Sequence, residues 1–172
     1  NNHGITSEGA ITGKFMIPAT VDLNQAVDGT DLILLMTIAS AHKEVAERLK
    51  PLLVQGQKIL IFNSNWGAFE FKQVLGSDIE KKNLTVAETS AQLFLSSSQE
   101  VGHITMQVKQ QVGVSATNPD KTQPLLDTTR VLFPQFQKSS SIIETTMSST
   151  NPVIHVPITL LNLARVENAQ PF

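Results

Sequence analysis

Apolar residues along this chain change their spacing several times, and each change marks a different kind of element. Residues 31–38 and 58–63 are near-continuous apolar runs, the pattern of strands covered on both faces as in a parallel sheet. Residues 84–89 predict a third strand. Between the first two, Ser40 can cap a helix running to about Leu53, with Ala41, Val45, Ala46, Leu49, Leu52 and Leu53 on an apolar face. Lys43, Glu44, Glu47 and Arg48 then face water. Between the second and third strands, residues 66–75 predict a helix that Gly76 can end. Residues 22–27 allow a helical turn or two ahead of the first strand, whereas residues 1–13 are polar and glycine-rich with no obvious element. Strand, helix, strand, helix, strand with short links is the pattern of right-handed parallel crossovers, so the core is α/β.

From Leu93 the pattern alternates. Residues 93–96, 103–109 and 112–116 predict short strands with no helix between them, expected to pair antiparallel at a sheet edge. Residues 122–133 predict a helix stopped by Pro134, and residues 137–144 allow one more short strand. A final helix is expected to start where Thr150 or Asn151 can cap it, with Pro152 at its first position and Pro157 bending it near His155. Asn151, His155, Thr159 and Asn162 are spaced by four, four and three residues, so they fall on one helical stripe. Val153, Ile154, Val156, Ile158, Leu160, Leu161 and Leu163 take much of the remaining circumference. A helix that apolar is expected to be buried, and its polar stripe to look into a pocket, because an unpaired buried polar group costs roughly 1–3 kcal/mol.

Composition narrows the functional classes. The chain has 172 residues, 41% hydrophobic and 16% charged, enough for one substantial core. A net charge of −2 and scattered basic residues give no electrostatic footprint for nucleic acid. There is no cysteine, so disulfides and thiolate metal sites are excluded and a reducing compartment is permitted. No apolar run approaches the length of a membrane span and no signal-peptide pattern opens the chain, so the expected location is cytoplasmic, without a membrane partner. Because the first residue is Asn1 and the opening is featureless, the chain reads as a piece of something longer.

Open parallel sheets bind ligands beyond the carboxyl ends of their strands. Here those positions are Thr37-Ile38-Ala39-Ser40, Asn63-Ser64-Asn65-Trp66-Gly67 and Glu88-Thr89-Ser90, all rich in small or polar residues. Helix capping alone would account for Ser40 and Asn65, and Glu88 suits either a ligand contact or a capped turn. The dinucleotide fingerprint G-x-G-x-x-G is absent: Gly4, Gly9 and Gly13 are too widely spaced to bring backbone amides to a pyrophosphate. No nucleophile elbow and no metal-ligand spacing occur, so no metal is expected. A lone histidine in an apolar helix is most often a packed core residue. For His155 the aligned polar residues favour a general acid or hydrogen-bond donor instead, since imidazole titrates near neutrality. His42, on the exposed part of a helix start, and His103, in an edge strand, look ordinary, and His3 lies in the terminus.

The run Thr20-Val21-Asp22-Leu23-Asn24-Gln25-Ala26-Val27-Asp28-Gly29-Thr30-Asp31-Leu32-Ile33-Leu34, then Ala87-Glu88-Thr89, then Asn151-Pro152-Val153-Ile154-His155 with Leu160-Leu161-Asn162, resembles the octopine/nopaline (opine) dehydrogenases. The resemblance covers nearly the whole chain, and Asn-Pro-x-x-His is its most discriminating part. It implies a Rossmann-like parallel sheet with antiparallel edge strands, incomplete at both ends. Residues 1–148 would be the later part of a nucleotide-binding domain, and residues 149–172 a helix leading into a helical catalytic domain. It implies NAD or NADP as cofactor and reduction of the imine formed between an α-keto acid and an amino acid. His155 matches the family's catalytic histidine, Asn151 and Asn162 match its polar surroundings as substrate-binding candidates, and Thr37, Ile38, Ala39 and Glu88 are the cofactor-contact candidates.

The family's glycine-rich turn and its partner aspartate find no counterpart here, so these 172 residues alone are expected to be inactive. Two other readings stay open: a 2-hydroxy-acid or ketopantoate-type reductase on a similar sheet, and a non-catalytic module. The choice of keto acid and amino acid is also open, as is the oligomeric state, with a homo-oligomer allowed.

Overall fold

The computed structural model describes residues 4–63, 65–149 and 151–168, with residues 99, 100, 151, 152 and 166 described by their backbone alone. Along the chain come β1 (Ile5–Gly9), β2 (Gly13–Phe15), α1 (Leu23–Val27), β3 (Leu32–Leu35), a short 3-10 turn (Ala39–Ala41), α2 (His42–Leu49), β4 (Lys58–Ile61), α3 (Gly67–Leu75), α4 (Asp78–Lys81) and β5 (Thr85–Thr89). They are followed by β6 (Phe94–Glu100), β7 (His103–Val108), β8 (Val112–Ala116), a 3-10 turn (Pro119–Lys121), α5 (Thr122–Thr129), β9 (Phe136–Lys138), α6 (Ile142–Met147), α7 (Asn151–Leu161) and α8 (Leu163–Glu167).

The main sheet has five strands in the order β3-β4-β5-β8-β9. β3, β4 and β5 run parallel, joined through α2 and α3 as the crossover pattern requires, and β8 runs antiparallel to β5 with β9 parallel to β8. Side chains alternate across β4 and both faces are covered. Ile59 and Ile61 enter a core with Leu49, Phe71 and Leu75 from α2 and α3, whereas Leu60 and Phe62 enter a second with Leu125, Leu126 and Phe136. That two-sided burial, worth about 1.5–3 kcal/mol per large apolar side chain, is why the strand reads as an unbroken apolar run. On the second face, Phe62, Phe133 and Phe136 form an aromatic cluster with ring centres 5.0–6.2 Å apart.

Several expectations are corrected. Within the opening expected to be featureless, residues 5–9 form a strand: β1 pairs antiparallel with β2 and parallel with β7, in a second sheet of order β2-β1-β7-β6. The three strands expected at one edge therefore separate. β6 and β7 pair antiparallel in this second sheet, and β8 alone of the three joins the main one. β1 shows no apolar signal because backbone pairing holds it, with Ser7 its one buried side chain. Ser40 makes no side-chain cap for α2; the chain enters that helix through the 3-10 turn instead. Residues 142–147, expected to be partly strand, form α6, whose first turn is capped by Ser141 accepting from the Glu144 amide at 3.1 Å. The cap expected from Thr150 lies outside the described residues, as does His3. Among the described residues no helix is long and apolar enough to cross a membrane.

Candidate functional site

The carboxyl ends of β3, β4 and β5 converge beside the second sheet, and α7 comes to the same place. Between them opens a cavity of about 560 Å³. Met36 and Asn63 line it from the ends of β3 and β4, His155 from α7, and Gln92, Ser96 and Lys109 from the β6–β7 hairpin and its flanks. Phe94, Leu95 and Met106 supply an apolar wall. Of the stripe expected to look into a pocket, His155 alone among the described side chains lines this cavity.

The setting of that helix differs from expectation. α7 is exposed around its circumference, with Val153 at 72%, Leu160 at 60% and Leu161 at 85%, and His155 itself is exposed. Among the described residues no surface covers its apolar faces, and this is the physical reason the expected burial is missing. Pro157 lies inside the helix, where it can donate no backbone hydrogen bond. Asn162 turns back on its own chain, its amide donating to the Ile158 carbonyl at 2.8 Å, and Thr159 is exposed. The side chain of Asn151 lies outside the described residues and Asn162 falls in the turn after α7, so His155 and Thr159 are the stripe residues seen on the helix.

Thr37, Ile38 and Ala39 follow Met36 on the surface, with Ile38 73% exposed. The loop after β4 is unusual in its backbone: Asn63, Asn65 and Trp66 have φ of 67°, 60° and 65°. Asparagine tolerates this left-handed region, whereas for Trp66 it costs about 1–2 kcal/mol. Hydrogen bonds hold the described part of the loop. The Asn63 amide donates to Thr89 Oγ1 at 3.0 Å, and Asn65 Nδ2 donates to the Asn63 carbonyl at 2.8 Å. Thr89 in turn donates to the Ala91 carbonyl at 2.8 Å, so the turns after β4 and β5 are tied together at the mouth of the cavity.

Glu88 is fully buried, and both its oxygens are engaged within the chain. One accepts from the Ala68 amide in the first turn of α3 at 3.0 Å, the other from the Thr146 hydroxyl of α6. Burial pushes its carboxyl pKa up, against the opposing pull of the Thr146 and Ala68 hydrogen bonds. Of the two roles the sequence allowed for Glu88, the geometry is that of a cap, joining α3 to the helix that leads into α7.

His42 is also buried, contrary to its expected place on an exposed helix start. Its ring lies edge-on to Phe71 with centres 6.5 Å apart, and neither ring nitrogen has a hydrogen-bond partner among the described residues. Glu70 stands 4.0 Å from Nδ1. The position against α3 exists because residue 67 is glycine: a Cβ there would lie 2.6 Å from His42 Nδ1 and 3.0 Å from Ile61. Lys109 and Gln92 were not singled out from the sequence. A single lysine at a strand end carries no periodic signal, and only the pairing of β6 with β7 brings it to the cavity that His155 also lines.

No family model matches the chain. It is similar to an opine dehydrogenase of Arthrobacter sp. (strain 1C), with 29% identity over 155 residues, covering 89% of this chain and 43% of the relative. The chain therefore spans less than half the length of that protein. Among solved structures it is similar to octopine dehydrogenase, described in a complex with NADH and L-arginine, with TM-score 0.69 and 17% identity over 87% of this chain and 40% of that one. The same enzyme is also described with NADH and pyruvate. A 2-dehydropantoate 2-reductase from Geobacter metallireducens superimposes with TM-score 0.57 and 16% identity, over 81% of this chain and 45% of the other. The chain has the Rossmann-like α/β fold of these dehydrogenases and reductases. The resemblance to the opine dehydrogenases holds over most of its length.

Proposed function

We propose that this chain is part of an NAD- or NADP-dependent opine dehydrogenase, which reduces the imine formed between an α-keto acid and an amino acid. The observation that carries the reading is the cavity at the carboxyl ends of β3 and β4, with His155 on its wall. In this account residues 1–148 belong to the nucleotide-binding domain, and residues 149–172 lead toward a catalytic domain.

The strand-end residues suit the nicotinamide end of a cofactor. Asn63, Asn65 and Trp66 turn the chain at the end of β4 through a left-handed backbone, and Thr37, Ile38 and Ala39 offer an exposed edge at the end of β3. No stretch of this sequence supplies the glycine-rich turn for a diphosphate. When bound, the nicotinamide supplies the hydride. His155 donates a hydrogen bond to the oxygen of the keto acid and holds the reacting carbon at the cavity mouth. It would give its proton to the hydroxyl that departs as water when the amine adduct of the keto acid collapses to the iminium, the species that hydride then converts to the amine. Asn151 and Asn162 position substrate once α7 is covered. Glu88 acts at one remove, fixing α6 and hence the entry to α7.

The test is oxidation of NADH and of NADPH by the whole protein with pyruvate, with and without amino acids. Oxidation that requires both pyruvate and an amino acid is expected. Oxidation with the keto acid alone would favour a 2-hydroxy-acid or ketopantoate-type reductase, and none with either cofactor would favour a non-catalytic module.

A further inference from the structure

The described titratable groups lining the cavity are Lys109 and His155; among the described residues no carboxylate lines it. Lys109 is half-buried, and its backbone amide donates to the Leu93 carbonyl at 2.9 Å, which fixes the base of the side chain at the end of β7. Among the described residues its ammonium has no ion-pair partner. An ammonium and an imidazole lining one cavity, with no carboxylate among its described lining, make that cavity a receptor for an anion. The rest of the lining sets the kind of anion: Ser96 adds a hydroxyl, while Met36, Phe94 and Met106 form an apolar wall that suits a short hydrocarbon group better than a second charge.

We infer that Lys109 binds the carboxylate of the α-keto acid and so selects the keto substrate in the cleft that His155 faces. The inference rests on the reading of the cleft given above. In an α-keto acid the carboxylate is bonded directly to the carbon that reacts. A cation sharing a cavity with the group that holds the keto oxygen therefore meets that carboxylate first. The carboxylate of the amino acid is separated from the same carbon by the nitrogen and its α-carbon, and falls further away. Lys109 is thus a specificity-determining residue, with no part in proton or hydride transfer.

The test compares wild type, Lys109→Met and Lys109→Arg in the whole protein. Initial rates are measured against pyruvate at saturating amino acid and NADH, and pyruvate binding to the NADH-loaded protein is measured by calorimetry with inorganic phosphate as competitor. Lys109→Met should raise the pyruvate KM about tenfold or more, the loss of one charge-assisted hydrogen bond, with kcat within about threefold. The amino-acid KM and NADH affinity should be unmoved, and Lys109→Arg should restore most of the pyruvate affinity. A pyruvate KM unchanged in Lys109→Met, a shift in the amino-acid KM instead, or phosphate displacing pyruvate at equal concentration would each overturn the assignment, as would failure of the wild type to bind pyruvate. If the wild type reduces pyruvate without an amine, imine reduction falls while the pyruvate KM of Lys109→Met still decides the role of Lys109.

Discussion

Burial of Glu88 makes the folded protein hold its proton more tightly than the unfolded chain does, and this has a definite sign. A carboxyl whose folded pKa is raised contributes stability that is fully present below the unfolded value of 4.5 and is lost as pH rises through the folded value. Denaturant titrations from pH 4 upward should show wild type losing stability relative to Glu88→Gln across that window. A difference that stays flat, or grows in favour of wild type, would contradict it. At Gly67 the argument is steric. Gly67→Ala should cost about 1–3 kcal/mol, because the new methyl overlaps a ring that cannot retreat from Phe71. His42→Leu should leave stability unchanged or raise it, since it removes two buried nitrogens without partners. A clear loss in the same denaturation experiment would mean that the ring is doing electrostatic duty, with Glu70 as its partner.

Elements differ in how openly the sequence announces them. β4 was legible because burial on both faces writes a continuous apolar run, whereas β3 carries the same run with Leu34 exposed, so its two-sided covering is incomplete; α2 and α3 were legible because their apolar positions recur at helical spacing. β1, β2 and α6 were not, since pairing, a serine cap and small polar residues hold them with little apolar signal. At the cavity, His155 is a residue its polar stripe pointed to, whereas Lys109 reaches the lining only through the topology of the second sheet. α7 carries the sharpest conflict between pattern and setting: its composition is that of a buried helix and its faces are open. Replacing Val153 and Leu161 with serine should therefore leave the stability of these 172 residues within about 0.5 kcal/mol per site. In the whole protein, if these faces are covered, the same changes should cost several times more.

At the scale of the molecule, two sheets share one opening. The parallel strands deliver their carboxyl ends, the smaller sheet delivers Lys109, and α6, pinned by Glu88, delivers the helix that carries His155. This is how a fold shared with several dehydrogenases and reductases becomes a particular site, through what three elements place around one cavity. Because the chain spans 43% of its opine dehydrogenase relative, the decisive measurement belongs to the whole protein. It is the rate of amine-dependent NADH oxidation with pyruvate, wild type against His155→Ala, with NADH binding measured alongside. The account predicts a fall in turnover of about 10²–10⁴-fold with NADH affinity unchanged. Turnover within about twofold of wild type would contradict it.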